Sequence, residues 1–440
     1  MPSETVFALS SAPGRAGVAV FRISGPEADA ALRALTTGPL PSPRRAALRT
    51  LMRDSEPIDG ALVIRMPGPG TFTGEDVVEL MPHGSPAVVE AVAEALLATG
   101  LRQALPGEFT RRAFLNGRMD LVEAEGLADL IDSDTDSQRA QALRQMKGGL
   151  SERAEGWKER ILDALARVEG EIDFPDEADV PDRLSREAGP VLQEVADDLR
   201  DALDGFGRGE RVREGVRIAV IGAPNAGKSS FVNYLAGRDA AIVSPVPGTT
   251  RDVVEVHLEL AGLPVRVADT AGLRETDDIV EGEGIRRARV SAEEADIRIL
   301  VVDRGQANAI RREVLQDGDI VLLNKSDVSR ETRDVSSNVH VIETSLQSGE
   351  GLNEALSLLE EQVSDRFSPT RSPGLTRARH RDCVSRALDS LRRAASRLDS
   401  APELSADDLR SALLALEELS GRADMDAVLD RVFSRFCVGK

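Results

Sequence analysis

The sequence predicts an α/β multidomain protein in which a strand–helix module interrupts a helical bundle, behind a mixed α/β N-terminal domain. Three observations predict it. Short apolar runs alternate with helical patterns between residues 215 and 365, as in βα units. On both sides of that stretch, apolar residues recur at three- and four-residue steps. Before residue 119, strand-like and helix-like runs lie between the turn signals Pro13-Gly14, Pro67-Gly68-Pro69-Gly70 and Pro106-Gly107.

In chain order, residues 18–23 and 61–66 read as short strands and 87–98 as a helix. Leu143, Met146, Leu150, Trp157, Ile161, Leu165, Val168 and Ile172 form one stripe, which predicts a single long amphipathic helix ended by Pro175. A further helix is expected over 191–203, then a polar linker over 205–214. Strands are expected at 217–222, 265–269, 297–303 and 320–324. The helical period returns after Ser372-Pro373. One stripe joins Leu409, Leu413, Leu416 and Leu419, and another joins Met425, Val428, Leu429, Val432 and Phe436. The expected boundaries are 1–118, 119–213, 214–366 and 367–440, with the second and fourth segments packing together and the ends of the inserted module close in space.

Composition narrows the function classes. The chain has 440 residues, with 55 Lys and Arg against 75 Asp and Glu, a formal net charge of −20. That excludes a globally basic nucleic-acid coat. Lys147, Lys158, Lys228, Lys325 and Lys440 are the only lysines, so each is a candidate for a role arginine cannot fill. Cys383 and Cys437 are too few for a disulfide framework and suggest a reducing compartment. The start, Met1-Pro2-Ser3-Glu4, lacks a basic signal region. No apolar run approaches the roughly 18 residues of a membrane span. The cytoplasm is the expected location.

Gly222-Ala-Pro-Asn-Ala-Gly-Lys-Ser229 fits the phosphate-loop pattern G-x-x-x-x-G-K-[ST] between a strand and a helix. Its glycines let backbone N–H groups curl around phosphate, Lys228 adds a point charge, and the Ser229 hydroxyl suits Mg²⁺. Three further motifs follow in order. Thr249-Thr250-Arg251-Asp252 offers a hydroxyl to Mg²⁺ beside the terminal phosphate. Asp269-Thr270-Ala271-Gly272 supplies a water-mediated Mg²⁺ ligand and a phosphate-sensing N–H. Asn324-Lys325-Ser326-Asp327 supplies a carboxylate for guanine N1–H and N2–H₂, a donor pair adenine lacks. Lys325 lays its stem along the base, and Thr344-Ser345-Leu346 offers a backbone contact to guanine O6. Together these predict a P-loop, Ras-like GTP-binding domain. The residue after Asp-x-x-Gly is Leu273, not the glutamine that orients water in Ras-like enzymes. Glu275, Asp277, Asp278, Glu281 and Glu283 lie downstream, and spacing alone does not single one out.

Pro224-Asn-Ala-Gly-Lys-Ser229, Pro247-Gly-Thr-Thr-Arg-Asp252, Asp269-Thr-Ala-Gly-Leu-Arg274 and Asn324-Lys-Ser-Asp327 resemble the MnmE (TrmE) tRNA-modification GTPases. The likeness extends outside the nucleotide module. It covers Ala12–Gly25, Phe72-Thr-Gly-Glu-Asp76, Pro106-Gly-Glu-Phe-Thr110, Ala113-Phe-Leu-Asn116 and the terminal Phe436-Cys-Val-Gly-Lys440. The resemblance implies K⁺-stimulated GTP hydrolysis. It also implies a homodimer joined through residues 1–118, and a partnership, as a heterotetramer, with the flavoprotein MnmG. Together they would place an aminomethyl or carboxymethylaminomethyl group on carbon 5 of the wobble uridine of certain tRNAs.

The same resemblance assigns site residues. Asn225, Ala226, Gly227, Lys228, Ser229 and Ser230 would form the phosphate loop. Asn225 and Thr249 side chains and the Ser244 and Val246 carbonyls would hold K⁺, and Ser229 and Thr250 would hold Mg²⁺. Glu281 would orient the hydrolytic water. Arg22, Glu79, Arg118 and Lys440 would bind 5,10-methylenetetrahydrofolate or a related tetrahydrofolate, and Cys437 would act in the modification chemistry. Three positions depart from the pattern: Arg118 replaces a lysine, Leu346 an alanine and Ser85 a glycine. A ribosome-assembly GTPase would instead carry a basic RNA-binding domain, which the acidic charge argues against. A GTP-toggled scaffold would show equal slow turnover in K⁺ and Na⁺.

Overall fold

The computed structural model describes residues 4–173, 184–237, 255–269, 290, 292–304, 315–328, 339–368, 374–421, 426–434, 436, 438 and 439. These fall into two compact units, 1–128 with 413–440, and 129–412.

The first unit is built on a six-stranded sheet. Its strands are β1 (Val6–Leu9), β2 (Phe21–Ser24), β3 (Ala47–Arg53), β4 (Glu56–Met66), β5 (Val77–Met81) and β6 (Arg102–Gln103), in the order β3-β4-β5-β2-β1-β6. Phe7, Phe21, Ile23, Leu51, Val63 and Leu80 point to one face and pack against α1 (Ala28–Leu35) and α2 (Pro86–Ala98). Ser85 caps α2: its hydroxyl accepts the Val88 N–H, and Pro86 follows where no N–H is needed. The glycine expected at position 85 is therefore replaced by a better helix starter. α3 (Glu108–Leu115), α4 (Leu121–Ile131) and the C-terminal α13 (Asp426–Phe433) complete the unit. Phe433 lies 6.1 Å from Phe114 and 5.9 Å from Phe436, ring centre to ring centre.

The second unit carries α5 (Asp136–Met146), α6 (Gly149–Asp173), α7 (Leu184–Asp204) and α8 (Phe206–Glu214). A six-stranded sheet follows: β7 (Val216–Ile221), β8 (Glu255–Leu260), β9 (Leu263–Asp269), β10 (Ile297–Asp303), β11 (Ile320–Asn324) and β12 (His340–Glu343). Its order is β12-β11-β10-β7-β9-β8, parallel except for β8. α9 (Lys228–Ala236) and α10 (Leu352–Phe367) pack on it. α11 (Ala378–Arg397) then packs on α7, which itself packs on α6, and α12 (Pro402–Ser420) begins beside it, where Ser405 donates to the Ala394 carbonyl.

Two expectations need correction. The long stripe is two helices: Lys147 closes α5, and Gly148 turns the chain at φ 86°. A break followed by an in-phase restart leaves the apolar period intact, so periodicity could not detect it. The supposed linker over 205–214 is α8, with Phe206 and Val212 buried. Gly209 lets α8 approach residue 375 closely, since an added Cβ would lie 2.3 Å from the Leu375 carbonyl oxygen. The chain just before the inserted module meets the segment after it: Arg213 Nε donates to Thr376 O at 2.9 Å.

Candidate functional site

Parallel pairing gathers the nucleotide motifs. β7, β9, β10, β11 and β12 run the same way, so their carboxyl ends share one edge of the sheet. Val220 is in register with Asp269, and Asp303 with Asn324. The phosphate loop leaves β7 at the point where the strand order switches from β9 to β10, the crevice that ligands occupy in open α/β sheets.

The loop is held by its glycines. Gly222 has φ 148°, and a Cβ there would stand 2.1 Å from the Val301 carbonyl oxygen. Gly227, at φ 112°, caps α9 where a Cβ would meet Asn324 Nδ2 at 2.5 Å and Leu346 at 2.6 Å. Asn225 adopts φ 60° and is exposed at the tip. Ala226 is buried, while Ser229 and Ser230 present exposed hydroxyl groups on the first turn of α9. Lys228 is buried, and its ammonium donates to Gly222 O at 2.9 Å and Ala223 O at 2.8 Å. Those bonds hold the charge inside the curl of the loop, against the N-terminus of α9.

Asn324 joins three segments. Its Nδ2 donates to Ala226 O at 2.7 Å, and its Oδ1 accepts the Leu346 N–H at 3.1 Å. The Ser326 N–H donates to Thr344 O at 3.1 Å. Asp327 is exposed, free to face a base edge. The Ser345 N–H donates to Glu350 O, so a base O6 contact from this loop would share the Leu346 donor with Asn324. The sequence reading missed this role of Asn324. The signal is that a short amide sits at a strand end beside two loops that need a donor and an acceptor. Asp269 ends β9, while Ser244, Val246, Thr249, Thr250, Thr270, Ala271, Gly272 and Glu281 lie outside the described residues.

In the first unit, Arg22 on β2 faces Glu79 on β5. Its Nε and Nη2 reach Glu79 Oε1 at 3.1 and 3.0 Å. The guanidinium also lies over Phe72 and Phe109, 5.4 and 5.8 Å from the ring centres. Arg118 packs against the loop before β5, its Cγ 3.4 Å from where a Gly74 Cβ would stand. Asn116 Nδ2 donates to Thr73 O at 2.7 Å, and buried Arg112 reaches Glu75 and Glu108 at 3.0 and 2.9 Å. The segments 72–76 and 113–116, distant in sequence, therefore form one network. Lys440 and Cys437 lie outside the described residues. The adjoining Gly439 reaches this unit, its carbonyl accepting from Ser10 Oγ at 3.0 Å.

Glu108 titrates well below the usual carboxylate range. Burial pushes its carboxyl up, but Arg102, the Leu105 N–H and Arg112 outweigh that and hold it at about 2.

Residues 121–437 match the MnmE helical domain, and residues 5–118 match the GTP-binding protein TrmE N-terminus. The chain belongs to the MnmE family of tRNA modification GTPases. The tRNA modification GTPase MnmE of Maricaulis maris is 52% identical over 442 residues, covering all of both chains. That of Caulobacter vibrioides is 49% identical over 453 residues, again covering both in full. Among solved structures, the G domain of the T. maritima FeoB iron transporter is 25% identical, with TM-score 0.26, covering 34% of this chain and 98% of that one. Among the described residues no helix is long and apolar enough to cross a membrane.

Proposed function

We propose that this chain hydrolyses GTP in tRNA modification. With the flavoprotein MnmG, it would add an aminomethyl or carboxymethylaminomethyl group to carbon 5 of the wobble uridine. The observation that carries this reading is the convergence of the phosphate loop, Asp269, Asn324–Asp327 and Ser345–Leu346 at one sheet edge of an MnmE-family chain. The loop amides and Lys228 would bind the phosphates, and Asp327 would select guanine over adenine.

The donor types fit the ions the reading requires. Ser229 and Thr250 are oxygen donors suited to Mg²⁺. Asn225 and Thr249, with the Ser244 and Val246 carbonyls, are neutral oxygens suited to K⁺. A potassium ion there supplies the positive charge that an arginine finger gives other GTPases. Glu281 orients the attacking water, a role Leu273 cannot fill.

In the first unit, Arg22 and Glu79 are a cation and a carboxylate beside half-buried Phe72, the group types that a pterin with a glutamate tail would use. Arg118 and Lys440 add cations, and Cys437 takes part in the modification chemistry. The protein works as a homodimer joined through residues 1–118, in the cytoplasm with its tRNA, and pairs with MnmG in a heterotetramer.

Mass spectrometry of tRNA nucleosides from a null strain tests the reading. The modified wobble uridine should return with the wild-type chain and not with Lys228→Ala. Unmodified uridine after wild-type rescue would refute it. GTP turnover that is slow and equal in K⁺ and Na⁺ would favour a scaffold.

A further inference from the structure

We propose that Asp303 and Arg304 are positioning residues that brace the two base-reading segments and so set how long guanine nucleotide stays bound; the inference rests on the guanine-nucleotide reading above. β10 ends at Asp303, directly opposite Asn324 on β11. Asp303 Oδ2 takes the Lys325 ammonium at 2.5 Å. Lys325 needs such a hold, because its backbone sits at φ 67°, where side-chain-bearing residues are disfavoured. Arg304 turns the other way and is buried. Its Nη1 and Nη2 reach Glu343 Oε2 and Oε1 at 3.0 and 2.8 Å. Glu343 ends β12, and the buried Thr344 and Ser345 follow it.

Two consecutive residues at one strand end thus grip both segments that would touch the base. The first fixes the direction of the lysine stem laid along guanine. The second fixes the start of the loop carrying Ser345 and Leu346. A planar two-pronged guanidinium suits that second task in a way an ammonium does not. The Ser326 N–H bond to Thr344 O links the two segments, so loosening either loosens both. The brace therefore acts on base retention rather than on cleavage of the phosphate bond.

The test compares Asp303→Asn and wild type in the full-length chain, using fluorescent GDP release, GTP KM, kcat at saturation and thermal midpoint. Removing one partly exposed ion-pair partner should speed GDP release and raise KM by about three- to fivefold. The expected kcat stays within about twofold, and the midpoint does not move. In a Lys325→Met background the Asp303→Asn change should have a smaller effect, because the Lys325 pair is gone. Equal effects in both backgrounds, or release within twofold of wild type, would overturn the brace. If Asp303→Asn does not fold, Arg304→Lys carries the test through the same KM-against-kcat split. A raised KM alone supports the brace, and a fall in kcat alone overturns it. Wild-type protein that fails to bind GDP would overturn the guanine reading and the brace together. Tight wild-type binding with unaltered variants removes the brace only.

Discussion

Replacing Asn324 by alanine separates a folded nucleotide module from a correctly assembled one. The side chain is buried and makes two bonds, to Ala226 O at 2.7 Å and from the Leu346 N–H at 3.1 Å. Each bond contributes about 1 kcal/mol net, and leaving a buried partner unpaired costs about 1–3 kcal/mol. Water can reach part of the loop and offset some of this, so about 2–3 kcal/mol of loop organisation is lost. If that organisation has to be restored on binding, GDP affinity falls roughly 30- to 150-fold. Titration with fluorescent GDP measures the loss, and a melting curve checks that the sheet survives. Asn324→Asp keeps the acceptor for Leu346 but sets a carboxylate oxygen against the Ala226 carbonyl, so it should lose at least as much affinity as alanine. GDP affinity within threefold of wild type, in a folded Asn324→Ala protein, would refute the reasoning.

Glu281→Ala should bind GTP normally but hydrolyse it slower by on the order of 10²-fold, as measured by phosphate release; wild-type turnover would remove Glu281 from the mechanism. Gly439→Ala should weaken tetrahydrofolate binding while leaving GTP turnover unchanged, because the new Cβ would stand 2.3 Å from the Leu9 backbone oxygen at φ 97° and push the tail away. Unchanged folate affinity, read by equilibrium titration, would separate the tail from that site. Acid should also loosen the first unit. The Glu108 carboxyl is held at about 2, below its ordinary 4.5, so its stabilisation is present above pH 4.5 and lost as pH falls toward 2. Glu108→Gln should be less stable than wild type at neutral pH and flatter across that acid range; parallel acid-unfolding curves would contradict it.

The central strands were readable because burial on both faces writes continuous apolar runs. Residues 297–303 and 320–324 match β10 and β11 without adjustment. The edges were not readable. β12 buries only Ile342, and a short, exposed strand leaves no apolar run to read. β1, β3 and β5 were missed as well; β3 buries only Leu51 and pairs with β4 across a tight hairpin. α8 was misread because its ten-residue neighbourhood carries only two buried apolar anchors, Phe206 and Val212.

Taken alone, the order of residues determined the chemistry on offer: a phosphate loop, a carboxylate of the type that would read guanine, and a missing glutamine. Those are local patterns, and each depends on backbone spacing within a single segment. Only the folded chain decided which groups meet. Asn324 reaches Ala226 and Leu346, Asp303 takes Lys325, Arg304 takes Glu343, and Gly439 comes back to Ser10. Such meetings depend on strand order and register, which bring together residues far apart in the chain, and no local pattern encodes that distance.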